Sequence, residues 1–190
     1  MLASLLESAA TTPANSVVCD TVEPLASFDA SRYMGTWYNI QHSHGAAFQP
    51  DNFDCTQAVY SNLDQDAGTF EVYNSSTVGF LPRTGVHGNA TCAGTPTGQC
   101  IVSFFGQQFD HANYLVVDTD YDTYSMVYAC EPDDMQFLWI LSRTPEMDQD
   151  LLDRLNAEAM EKLPNYDWSI VRHDKQGDGC RYLESETKPF

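Results

Sequence analysis

Six cysteines, five histidines and a surplus of carboxylates are the side chains that could do chemistry in this chain. The cysteines are Cys19, Cys55, Cys92, Cys100, Cys130 and Cys180. Their spacing does not suit zinc, since there is no C-x2-C pair and no matching pair of histidines. An even set in this pattern points instead to three disulfides made in an oxidising compartment. Six cysteines allow many pairings, and spacing alone leaves the choice open. Cys92 and Cys100 flank the turn-rich A-G-T-P-T-G-Q and could clasp one hairpin. Asp118 and Asp120 could act as acid and base, but a tight turn explains the same pattern. His42 and His44 lie two apart, whereas His87, His111 and His173 show no paired spacing. No catalytic set and no metal site emerges from these groups.

The charge excludes other classes. Nine basic residues against 27 acidic ones give a net charge of −18 over 190 residues. Such a surface repels nucleic acid and anionic lipid headgroups. No apolar run is long enough to span a bilayer as a helix, so membrane insertion is not expected. With 43% hydrophobic residues the chain can build a core, and its acidity favours solubility for a carrier of greasy cargo.

The elements that would position these residues are mostly strands. Glycine and proline punctuate short β-rich runs about every ten residues, as in a barrel or sandwich. Eight strands are expected at 36–43, 55–62, 69–76, 85–92, 100–106, 113–119, 123–130 and 136–142, with a turn at 63–68. Residues 145–163 break the pattern. Leu151, Leu152, Leu155, Ala159 and Leu163 recur at helical spacing, after Pro145 and before Pro164. This predicts one amphipathic helix outside the sheet, followed by a short ninth strand at 168–172. The N-terminus lacks a basic leader region, and Glu7 interrupts its apolar run. Residues 1–18 are therefore set apart as an arm or leader remnant, 19–183 as the domain and 184–190 as a tail.

Three motifs carry a resemblance. G-T-W-Y at 35–38 follows F-D-A-S-R-Y-M, V-D-T-D-Y-D-T-Y spans 117–124, and W-I-L-S-R-T-P spans 139–145 just before the helix. In this order, these resemble the three linked signatures of the lipocalins, nearest the apolipoprotein D, bilin-binding and retinol-binding branch. F-D-C-T-Q-A-V-Y and S-R-T-P also resemble plastid lipocalins. The resemblance implies an all-β fold: an eight-stranded antiparallel up-and-down barrel with one C-terminal helix packed outside. It implies that Trp37, after Gly35, crosses the closed end, with Arg143 stacked on its ring and Thr119, Asp120 and Tyr121 in the adjacent turn. It implies the pairs Cys19–Cys130 and Cys55–Cys180, and the remaining pair, Cys92–Cys100, departs from the usual apolipoprotein D pattern.

Strand alternation, taken with the resemblance, sorts the faces. Ala58, Tyr60, Phe70, Val72, Asn74, Tyr114, Val116, Ser125, Val127, Phe137, Trp139 and Leu141 are expected to point inward and to contact a ligand. Asn74-Ser-Ser would then be an unused glycosylation sequon, and Asn89-Ala-Thr the glycan site. The segment 42–54 lies at the entrance, where His42, His44, Phe48 and Phe53 would rim the cavity.

The resemblance implies a binding protein that carries or sequesters one small hydrophobic molecule. A carotenoid or biliverdin, a retinoid or a steroid would each serve, and no cofactor is required. Bilins and fatty acids carry carboxylates, and only Arg83 offers a cation near the mouth, which favours a neutral ligand. The alternatives are a lipocalin-type isomerase or de-epoxidase, or a haem carrier using His42. A homo-oligomer is a further expected partner. The disulfides favour an extracellular protein, with a plastid lumen as the alternative setting.

Overall fold

The computed structural model describes residues 19–45, 49–92, 97–131 and 135–183. A four-residue helix α1 (Ala30–Tyr33) precedes eight long strands: β1 (Gly35–Ser43), β2 (Asp54–Asp64), β3 (Thr69–Thr77), β4 (Thr84–Thr91), β5 (Gln99–Phe104), β6 (Tyr114–Thr119), β7 (Tyr124–Glu131) and β8 (Met135–Ser142). The helix α2 (Gln149–Lys162), a 3-10 turn (Trp168–Ile170) and β9 (Val171–His173) follow. Each strand from β2 to β8 pairs antiparallel with the next. β8 then pairs with β1, and β1 with β2, which closes the barrel and leaves no free edge between them.

Closure is divided along β1. Its first half, Gly35 to Tyr38, pairs directly with Gln57 to Tyr60 of β2. Its second half, Gln41 to Ser43, pairs with β9. The chain after β9 continues the wall: Cys55 N–H donates to the Lys175 carbonyl, and the Gln176 side-chain amide donates to the carbonyls of Asn39 and Thr56. The Cys55–Cys180 disulfide fastens this segment to β2.

Apolar alternation produces two cores, one on each side of the wall. The inner core holds Trp37, Tyr60, Phe70, Val72, Val116, Val127 and Leu141 around Tyr33 of α1. The outer core lies under α2, where Leu152, Leu155, Ala159 and Leu163 cover Tyr124, Met126, Tyr128, Leu138 and Ile140. Leu155 is fully buried there, a burial that contributes about 2 kcal/mol.

The expected strands are all present, with shifted ends. β2 runs on to Asp64, so the reversal occupies 65–68. The helix begins at Gln149 rather than at Pro145, because the Asp148 carboxylate accepts the Leu151 N–H and caps it there. Residues 168–170 form a 3-10 turn in place of the start of a ninth strand. Helix α1 was not anticipated; Asp29 caps it by accepting from the N–H groups of Ser31 and Arg32. All six cysteines are paired, as Cys19–Cys130, Cys55–Cys180 and Cys92–Cys100.

Candidate functional site

The closed end of the barrel is built first. Trp37 is fully buried, with its indole N–H donating to the Tyr33 carbonyl at 2.9 Å. The Arg143 guanidinium carbon sits 3.6 Å from the centre of the Trp37 ring. Arg143 also donates to the carbonyls of Tyr121, Thr36 and Arg32 at 2.8–2.9 Å. Gly35 sits at φ +95°, a backbone angle that favours glycine. Beside it Thr119 Oγ1 accepts the Tyr121 N–H, and Asp120 accepts the N–H groups of Asp122, Thr123 and Tyr124. These residues seal and brace one end.

Above that seal lies a floor of hydroxyl groups. Tyr33 Oη is 2.9 Å from Tyr114 Oη and 2.8 Å from Ser125 Oγ, and Tyr60 Oη is 3.0 Å from Tyr114 Oη. Burial pushes the Tyr60 phenol up to about 12 and raises Tyr33 and Tyr114 further, so all three stay protonated. The rings of Tyr33 and Tyr60 stack at 5.6 Å. Ser125, Tyr33, Tyr114 and Tyr60 therefore form one chain of hydroxyl groups within the floor.

Ala58, Tyr60, Phe70, Val72, Tyr114, Val116, Val127, Trp139 and Leu141 pack in the inner core, and Phe137 lies beside Trp139. Cross-strand register places Trp37, Ala58, Asn74 and Val86 in one row, and Tyr60, Val72, Gly88 and Phe104 in the next. Val127 pairs with Val116 on one side and Trp139 on the other, while Ala129 pairs with Phe137 and Ser125 with Leu141. A side chain at Gly88 would strike the Ser103 carbonyl and the Phe104 ring at 2.4–2.6 Å, so glycine there lets Phe104 cross the wall. Asn89 falls on the opposite face and is exposed, whereas Asn74 turns inward with its Oδ1 buried and unpartnered.

The other end carries polar groups, and here one expectation is corrected. His42 does not rim an opening; it is 3% exposed within the wall. An irregularity between Asn39 and Gln41 puts Ile40 and Gln41 both on the outer side, and His42 then pairs with inward Trp139. His42 Nδ1 lies 2.6 Å from Asp174 Oδ1, close but not aligned as a hydrogen bond. Asn39 Nδ2 donates to the other Asp174 oxygen at 3.1 Å. His44 stays in the loop beyond β1, half-exposed and paired with Asp51. Phe53 is half-buried in the same loop, and Phe48 lies outside the described residues. Gln49, unforeseen, is buried and accepts the Trp139 indole N–H at 3.0 Å.

Arg83 also departs from expectation. Its nitrogens donate to the Arg181 and Cys55 carbonyls and to Ser75 Oγ, so it pins the C-terminal segment to the outer face. Among the described residues, no cluster of histidine, cysteine, aspartate and glutamate could hold a metal. No helix described is long and apolar enough to cross a membrane.

Of the residues that sequence reasoning missed, Asn39 was within reach by counting two residues from Trp37. Tyr33 stood in the motif before it. Asp174 and Gln49 had no sequence signal, because a return of the C-terminal chain and a loop position them.

A family model described as a lipocalin-like domain matches residues 28–176. The outer membrane lipoprotein Blc of Escherichia coli K12 is 34% identical over 166 residues, spanning 81% of this chain and 87% of that protein. Apolipoprotein D of Oryctolagus cuniculus is 32% identical over 152 residues, spanning 75% and 77%. Among solved structures, insecticyanin from the tobacco hornworm Manduca sexta superposes with a TM-score of 0.69 at 24% identity, covering 84% and 87%. Lobster apocrustacyanin A1 gives 0.63 at 20% identity, covering 84% and 93%. These two share the fold.

Proposed function

Because the chain belongs to the lipocalin family, we propose that it binds one small, uncharged hydrophobic molecule inside the barrel and carries or sequesters it. One observation carries this reading: a continuous inner wall of Phe70, Val72, Val116, Val127, Phe137, Trp139 and Leu141 stands above a sealed floor. Binding sites for lipophiles combine many apolar side chains with a few polar ones. Each 100 Å² or so of apolar surface taken from water is worth about 2.5 kcal/mol before ordering costs.

Charge supports a neutral ligand. Arg143 is committed to the closed end and Arg83 to the outer face. A bilin or fatty acid would bring carboxylates to a wall that neither of these two cations serves, so a carotenoid, retinoid or steroid fits better than biliverdin. The protein is not an enzyme in this reading. Thiolate chemistry has no residue to use, since every cysteine is in a disulfide. Three disulfides suit an oxidising compartment, and we infer a secreted protein.

The test is an absorption spectrum of protein purified from its natural source, with mass spectrometry of an organic extract. A visible band with a carotenoid mass, or a colourless extract with a retinoid or sterol mass, supports the reading. A tetrapyrrole mass overturns the preference for a neutral ligand. An empty barrel that binds no lipophile in titration overturns binding itself.

A further inference from the structure

The polar end of the barrel contains unmet hydrogen-bonding groups. Asn39 Oδ1, His42 Nε2 and Gln49 Nε2 are buried and have no partner. Their residues are 4%, 3% and 9% exposed. Orphaned polar atoms of this kind are costly to bury and rare in a folded protein. Together with His42 Nδ1 and Asp174 Oδ1, which lie 2.6 Å apart yet are not hydrogen-bonded, they call for a common explanation.

Their neighbours tie them together. Asn39 and His42 both contact Asp174. His42 pairs across the sheet with Trp139, and Trp139 donates to Gln49. On Asn39 and Gln49 the orphan is what remains after the residue's other polar atom is engaged. Asn39 gives its amide hydrogen to Asp174 and keeps an acceptor. Gln49 uses its oxygen on Trp139 and keeps a donor.

We propose that Asn39, His42 and Gln49, set by Asp174, form a subsite for the hydroxyl end of an uncharged lipophile. The inference rests on the barrel-binding reading above. A hydroxyl both gives and takes a hydrogen bond, so it meets an orphaned acceptor and an orphaned donor at once. A carboxylate would set a second anion beside Asp174. A ketone leaves Asn39 Oδ1 unmet, and an ammonium leaves Gln49 Nε2 unmet.

Retinol, retinyl methyl ether, retinoic acid and retinylamine share one polyene and differ at the end group. Each is titrated against the full chain and against Asn39→Ala, His42→Gln and Gln49→Ala, reading the quenching of tryptophan fluorescence. Retinol is expected to bind about tenfold more tightly than the ether. Each variant should bring retinol down to the affinity of the ether, and leave the ether unchanged. A variant that misfolds loses the ether as well; Gln49→Ala, in a loop, then supplies the test. Equal binding of retinol and ether, or a preference that no variant alters, overturns the subsite while barrel binding stands. Tighter binding of the acid or the amine overturns the assignment to a hydroxyl. Failure of all four, and of hexadecanol in the same titration, overturns barrel binding and the subsite with it.

Discussion

Arg143 lies flat on Trp37, its guanidinium carbon 3.6 Å from the ring centre, while its nitrogens reach carbonyls on β1, on α1 and in the β6–β7 turn. One side chain just past β8 thus ties together β1, α1 and the β6–β7 turn. A cation over an indole, partly desolvated, contributes about 1–2 kcal/mol, and hydrogen bonds from a charged donor add to this. Arg143→Ala should lower unfolding stability by about 3–4 kcal/mol, as measured by denaturant titration. Arg143→Lys should recover only a minor part, because one ammonium cannot reach three separate carbonyls.

Alkaline pH should weaken the fold through its tyrosines. Burial holds Tyr60, Tyr124 and Tyr128 up at about 12, against about 10 when unfolded. Below about pH 10 both states keep these protons, and the stabilisation is fully present. Between about pH 10 and 12 the unfolded chain releases them while the folded barrel does not, so stability falls steadily. Denaturant midpoints measured across that range should decline, and tyrosinate absorbance of these residues should appear together with unfolding. A flat stability profile would contradict the buried phenol network.

The three disulfides should differ in value. Cys92–Cys100 closes a separation of 8 residues, whereas Cys19–Cys130 and Cys55–Cys180 close 111 and 125. Chain-entropy arguments give about 2.5 kcal/mol for the short loop and about 5 kcal/mol for each long one. Double Cys→Ser replacement of each pair, followed by thermal unfolding, should rank them in that order.

Expression through a secretory pathway should decorate one asparagine. Asn89 is exposed on the outer face of β4, and Asn74 is turned into the barrel. Glycosidase treatment should shift the wild type and Asn74→Gln, but not Asn89→Gln. Modification at Asn74 would contradict its inward orientation.

The strands and the helix were legible in the sequence, because each rests on a local pattern, whereas the closed-end brace was expected only through the resemblance. Alternation grouped the faces of β2, β3 and β8, while the resemblance chose the inner face of β2, supplied those of β6 and β7, and marked Trp37 and Arg143 as partners through G-T-W-Y and S-R-T-P. The exceptions share a physical cause. His42 turns inward because the irregularity between Asn39 and Gln41 shifts the alternation by one residue, and nothing in N-I-Q announces it. Helix α1 is too short for periodicity to reveal. Asp174 and Gln176 acquire their contacts from strands more than a hundred residues earlier, through backbone geometry that leaves no trace in composition.

That last arrangement has a temporal consequence. The second half of β1 finds its neighbour in β9, and Gln176 spans the gap between the Asn39 and Thr56 carbonyls. On a ribosome, eight strands can emerge and associate while this stretch of wall is still open. The cylinder becomes complete only after residues 171–176 have left the exit tunnel, so the last gap in its wall is filled after all eight long strands have been made.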